Sequence, residues 1–167
     1  DEWAALGNAG WSFDEVLPYF KRSEDNRRIR NEWHGQGGPL VVSDLQTDNP
    51  FQDHFLEAGR QVGYPISSDF NGAEQEGVGL YQVTQENGER WSSYRGYVKP
   101  HLESRSNLLV ETGAQTQRIL FEGKRAVGVE YKQGGRVLTV MARKEVILSA
   151  GAFQSPQLLM LSGIGDA

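Results

Sequence analysis

The residues with the clearest capacity for chemistry stand in the last stretch, EVILSAGAFQSPQLLMLSGIGDA, residues 145 to 167. Val146, Ile147 and Leu148 predict a strand, and Ser149-Ala150-Gly151-Ala152 a small-residue turn. Ser155-Pro156 then predicts the start of a helix that carries Leu158, Leu159 and Leu161 and closes near Gly163. Small residues let a ligand approach the main chain closely, and the unpaired N–H groups that open a helix favour negative charge. A phosphate-bearing cofactor is therefore one natural occupant. The same pattern serves equally as a packing turn between strand and helix.

Other chemistry is sparse. The three histidines, His34, His54 and His101, lie far apart in sequence. His34, between Trp33 and Gly35, has no acidic residue or second histidine at ligand-like spacing and reads as a surface or turn histidine; His54 falls at the edge of a helical face. No G-x-G-x-x-G occurs: Gly35, Gly37 and Gly38 lack a preceding strand, and Gly77-Val78-Gly79 lacks the third glycine. The absence of cysteine excludes disulfides, thiolate catalysis and Cys-type zinc sites, and it fits a reducing, cytoplasmic setting. With 22 acidic and 17 basic residues the chain carries a net charge of −5. Its one basic cluster, Arg27-Arg28 with Arg30, gives no footprint for nucleic acid. No apolar run is long enough to span a membrane. The opening Asp1-Glu2-Trp3 and the ending after Gly165 read as cuts through a continuing sequence.

The elements that must position these residues follow from periodicity. A length of 167 residues at 38% apolar content supports one or two small domains with a real core. Ser12-Phe13-Asp14-Glu15 has capping-box spacing, with Trp11 and Val16 placed as a hydrophobic staple. The helix that follows directs Phe13, Val16, Leu17 and Phe20 to the core and is kinked or shortened by Pro18. Residues 23 to 38 read as a loop or exposed arm, and Pro39 to Ser43 as a short strand. Asn49-Pro50 and Gln52 start a second helix, with Phe51, Phe55, Ala58 and Val62 on one face and Gly63 as its stop. The long turn-rich stretch from Tyr64 to Gly79 reads as functional or wrapped around something. A strand over Leu80 to Thr84, a turn at Asn87-Gly88 and a helix capped by Ser92 or Ser93 and ended by Pro100 complete the first part. Four short runs then form a β-meander: Leu108 to Glu111, Thr116 to Phe121, Ala126 to Lys132 and Val137 to Ala142. The class is α+β or α/β, with the meander feeding the strand, turn and helix of the terminal stretch.

With these residues in view, the chain resembles the glucose-methanol-choline (GMC) oxidoreductases. GAFQSPQLLMLSGIG, residues 151 to 165, is similar to the family's second signature through Gly151, Ser155-Pro156, Leu159-Met160 and Ser162-Gly163-Ile164-Gly165. WAALGNAGWSFDEVLPYFKRSED, HGQGGPLVV and RWSSYRGYVKPHLESRSNLLVETGAQTQRILFEGKRAVGVEYKQGG follow the family's order, with spacings like those of its choline- and alcohol-dehydrogenase branch.

The resemblance implies an internal segment of a two-domain, FAD-dependent enzyme that oxidises CH–OH groups of a small-molecule alcohol. Residues 1 to 90 would be part of its substrate-binding domain and 91 to 167 part of its FAD-binding domain. It implies cofactor contact from the strand holding Ala114, Gln115 and Thr116, whose backbone meets the adenine, with Thr116 where valine is common. It also implies contact from Ser149, Ala150, Gly151 and Ala152, where small side chains admit the adenosine or pyrophosphate end. The family's Gly-rich fingerprint and catalytic histidine fall outside these 167 residues, so no catalytic residue is assigned. The segment alone is expected to be inactive, to bind FAD weakly or not at all, and to self-associate through uncovered surfaces. The resemblance leaves a non-catalytic interaction module, or oxidase or lyase chemistry, as alternatives, and a cytoplasmic parent with peripheral membrane association open.

Overall fold

The structure, a computed structural model, describes residues 1–165. The chain divides into two compact units, Asp1–Leu108 and the residues from Leu109 onward. Residues 91 to 101 belong with the first unit: the indole N–H of Trp91 donates to the Pro39 carbonyl at 2.8 Å, and the buried Gly96 lies against that same carbonyl.

The first unit opens with α1 (Glu2–Ala5) and α2 (Phe13–Ser23). The Glu15 carboxylate accepts from the Ser12 N–H at 3.1 Å and the Ser12 hydroxyl at 2.6 Å, so the expected capping residues do start α2. Pro18 neither stops nor shortens this helix, which runs on to Ser23. Nor does its apolar stripe reach a core. Phe13 and Phe20 are 48% and 67% exposed, and with Trp3, Trp11, Val16 and Tyr19 they line an open hollow of about 1090 Å³. β1 (Glu24–Asn26), within the expected loop, pairs in parallel with β2 (Leu40–Asp44). The segment between them crosses close to the backbone of α2 and β1. A Cβ on Gly35 would sit 1.8 Å from the Lys21 carbonyl oxygen, and one on Gly38 2.5 Å from that of Glu24.

α3 (Phe51–Gln61) is preceded by Asn49, whose Oδ1 accepts from the Phe51 N–H, and is followed by Gly63 at φ +93°. Its buried side is not the expected stripe. Phe51, Phe55 and Val62 are exposed, while Gly59 lies against Val78, so the small residue marks the contact face. The loop of residues 64 to 79 is closed at its neck: the Ser67 N–H donates to Val78 O at 2.8 Å, and the Val78 N–H to Pro65 O at 2.9 Å. β3 (Gln82–Val83) adds antiparallel to β2. β4 (Gln85–Glu86) and β5 (Glu89–Arg90) form a hairpin through the turn expected at Asn87-Gly88, both turn residues having positive φ, which suits the twist of a two-residue hairpin.

The second unit is a three-stranded antiparallel sheet of β6 (Gln115–Glu122), β7 (Arg125–Gln133) and β8 (Arg136–Met141), in that order, with α4 (Gly151–Leu161) lying along β6. Three of the four expected meander strands form. Leu108 to Glu111 stays irregular, and residues 145 to 149 also form no strand, because a strand needs a hydrogen-bonded neighbour and none pairs with them among the described residues. The expectation of a real core also fails. Val41, Ile119 and Leu158 are the buried large apolar side chains among the described residues.

Candidate functional site

β6 lies at the edge of its sheet, so part of its main chain faces away from β7. Its first residues pair normally, Gln115 with Lys132 and Thr116 with Tyr131, and the register then shifts before Arg118. A shift of this kind bends a strand and re-aims its side chains. Opposite this bend stands the first part of α4. The helix is held on the strand by Ser162, whose Oγ accepts from the Ile119 N–H at 2.8 Å. It ends in a Schellman motif: the Gly163 N–H donates to Met160 O, the Ile164 N–H to Leu159 O, and Gly163 has φ +84°. The Ser162-Gly163-Ile164 signature thus builds the helix stop and its anchor.

α4 starts at Gly151, four residues before the expected Ser155-Pro156. Gly151 adopts φ +92°, and the Ser155 hydroxyl reaches back to accept from the Ala150 N–H at 3.0 Å, so Ser155 serves the first turn from inside the helix. Pro156 sits within the helix, as Pro18 does in α2.

Between β6 and α4 lies a hollow of about 350 Å³ lined by Ala114, Gln115, Thr116, Gln117, Ala150, Gln154, Gln157, Leu158 and Leu161. No ionisable side chain lines it. Four carboxamides beside small and apolar residues suit a neutral, flat group with donors and acceptors at its edge, and the volume is in the range of ligand pockets. Of the site residues expected from sequence, Thr116 and Ala150 share this hollow, joined by Ala114 and Gln115. Ser149, Gly151 and Ala152 are exposed at the start of α4, adjacent in sequence to its wall but not part of it. Sequence reading missed Gln154 and Gln157, whose spacing places both on one side of α4.

A second constellation centres on His34. It is a buried residue, 6% exposed, and not the surface histidine that its sequence neighbours suggest. Its Nδ1 lies 2.9 and 3.1 Å from the Glu24 carboxylate oxygens, and its Nε2 3.1 Å from both oxygens of Asp69. Burial pushes the imidazole pKa down, but hydrogen bonds and charge from Glu24 and then Asp69 outweigh that, so the net shift is upward from the ordinary value. Asn26, fully buried, is oriented by the Arg28 and Ile29 N–H groups that its Oδ1 accepts. Its Nδ2 therefore faces Gln82, Glu24 and the ring. His54 and His101 join neither constellation, and no group of His, Asp or Glu among the described residues is arranged to hold a metal ion.

A family model described as GMC oxidoreductase matches residues 1–167. The chain belongs to the GMC oxidoreductase family. It is 46% identical over all 167 residues to the oxygen-dependent choline dehydrogenase of Brucella ovis, covering 30% of that protein. To the mitochondrial choline dehydrogenase of Homo sapiens it is 47% identical over its whole length, covering 28% of that protein. Among solved structures it superposes on pyridoxine 4-oxidase from Mesorbium loti with a TM-score of 0.85 at 32% identity, over 98% of this chain and 33% of the other. An FAD-dependent oxidoreductase from Chaetomium thermophilum gives a TM-score of 0.86 at 30% identity, over 98% and 31%. These relatives are enzymes, and this GMC chain spans about 30% of the length of the curated ones. The α+β reading, with antiparallel strands preceding the last helix, agrees with its structural neighbours.

Proposed function

We propose that this chain is an internal segment of an FAD-dependent oxidoreductase acting on the CH–OH group of a small alcohol, of the choline dehydrogenase type. In this reading the second unit contributes part of the FAD-binding domain and the first unit part of the substrate-binding domain. The observation that carries it is the neutral, carboxamide-lined hollow between β6 and α4, where Thr116 and Ala150 meet. Its chemistry fits the adenine end of the cofactor better than a phosphate, because no cationic side chain lines it. Main-chain groups at Ala114 to Thr116 would hold the ring edge, and Gln154 and Gln157 would close its far side. Ser149 to Ala152 would run past the ribose or pyrophosphate, where bulk would obstruct the approach. Bound flavin supplies the hydride acceptor. The role of this chain's residues is to bind and orient, and the expected lack of turnover by the segment alone follows from that.

The test is to express the segment within its flanking coding sequence and follow flavin absorbance and alcohol oxidation. The expected result is a yellow enzyme that oxidises an alcohol, loses bound flavin on Ala150→Glu, and keeps it on Thr116→Val. A flavin-free protein, or one indifferent to Ala150→Glu, overturns the reading. The isolated segment is expected to show no alcohol oxidation and to purify without flavin colour. Apolar surfaces around Trp3, Trp11 and Phe20 favour a second reading, self-association of the segment.

A further inference from the structure

His34 lies between two acceptors, one from β1 and one from the loop of residues 64 to 79. A carboxylate accepts but does not donate, so Glu24 and Asp69 are both served only when both ring nitrogens carry protons. We infer that Glu24, His34 and Asp69 form a protonation-dependent clasp tying the 64 to 79 loop to β1, and that the proton on Nδ1 is the one released when the clasp loosens.

The choice of nitrogen follows from the neighbours. Asn26 Nδ2 lies 3.0 Å from Nδ1 and is the donor that can replace the lost proton's bond, while Glu24 keeps the Gly35 N–H at 2.8 Å. On the Nε2 side, Asp69 is the ring's one partner among the described residues, so the neutral ring keeps its hydrogen there. Gly72 leaves the room this requires, since a Cβ there would stand 2.7 Å from Asp69 Oδ2.

Other charges nearby are committed elsewhere or stand off. From α2, Asp14, Lys21 and Arg22 line the hollow that reaches His34, and Lys21 Nζ donates to Glu32 O at 2.9 Å. Asp25 pairs with Arg27, and Arg28 with Asp44. Among the described residues, the side chains within hydrogen-bond distance of the ring are the two carboxylates and Asn26. A histidine with a raised folded value stabilises fully below its unfolded value, and that stability is lost as pH rises through the folded value. The clasp therefore holds fully below the ordinary imidazole value and weakens as pH rises through the raised folded one. It does not depend on the flavin reading.

The experiment is a pH titration of the 167-residue chain by long-range proton–nitrogen NMR of the imidazole, with amide exchange measured alongside. His34→Gln identifies the His34 signals by their loss. The expected midpoint lies above the ordinary imidazole value of about 6.5, with Nδ1 losing its proton and Nε2 keeping it. Across that midpoint, protection of the Ser67 and Asn71 amides, corrected for intrinsic exchange, falls roughly five-fold as an ionic hydrogen bond becomes a neutral one. Asp69→Asn should lower the midpoint and flatten the pH dependence of loop protection, and Glu24→Gln should lower the midpoint also. A midpoint at or below the ordinary value, as an unfolded chain would give, overturns the clasp. So does release from Nε2, or loop protection that ignores the titration.

Discussion

Ser162 shows how much one small side chain carries in a protein with so few buried residues. Its Oγ takes the Ile119 N–H and gives its own hydrogen to Leu158 O, so it links the two buried apolar residues of the second unit through their backbones. Ser162→Ala should leave the part-buried Ile119 N–H without a partner and cost about 1–3 kcal/mol, read as a lower denaturant midpoint; an unchanged midpoint would mean that solvent reaches the N–H freely. At this scale the sequence was partly legible. Thr116 and Ala150, which the family resemblance singles out, line one hollow. His34 left no trace, since its partners stand 10 and 35 residues away, and the crossing between β1 and β2 together with the loop of residues 64 to 79 brings them to the ring.

Elements were legible where local chemistry closes on itself. The start of α2 at Ser12 and the turn at Asn87-Gly88 each depend on residues a few positions apart, and both form as expected. They depart from expectation where the deciding partner is distant or where none stands among the described residues. Among the described residues, the segment 145 to 149 has strand composition without a paired neighbour, and the stripes of α2 and α3 are apolar and largely exposed. Pro18 reads as a kink or shortening and Pro156 as a helix start, yet each lies within a helix that continues through it, at the loss of one main-chain bond. The end of α4 gives the test proper to this scale. Gly163 holds φ +84°, so Gly163→Ala should destabilise the second unit by about 1–2 kcal/mol, with loss of helical circular dichroism at lower denaturant; Gly163→Asn, which tolerates this conformation better, should recover part of the loss.

For the whole molecule, the uncovered surface is the dominant fact. Trp3, Trp11, Phe20, Phe51, Phe55, Val62, Ile147 and Phe153 are all more than half exposed, and every residue of β8 is open to solvent. Patches of this kind associate, and an edge strand such as β8 can pair with another copy. Sedimentation of the chain over a hundred-fold concentration range should show mass rising with concentration, and a monomer throughout would contradict this. Length and composition suggested that the chain could bury a core; they carry no information on whether the faces that would build it meet within these residues.

The sheet of the second unit has a consequence for the order of events in folding. Glu122 pairs with Arg125 and Gln133 with Arg136, so each hairpin closes a loop of minimal length. In the first unit Ser43 must find Val83 before β3 can join β2. Short closures are fast and distant ones slow. On a ribosome, the meander would therefore zip up almost as it emerges, while the first unit, although synthesised earlier, would still be searching for its most distant pairing.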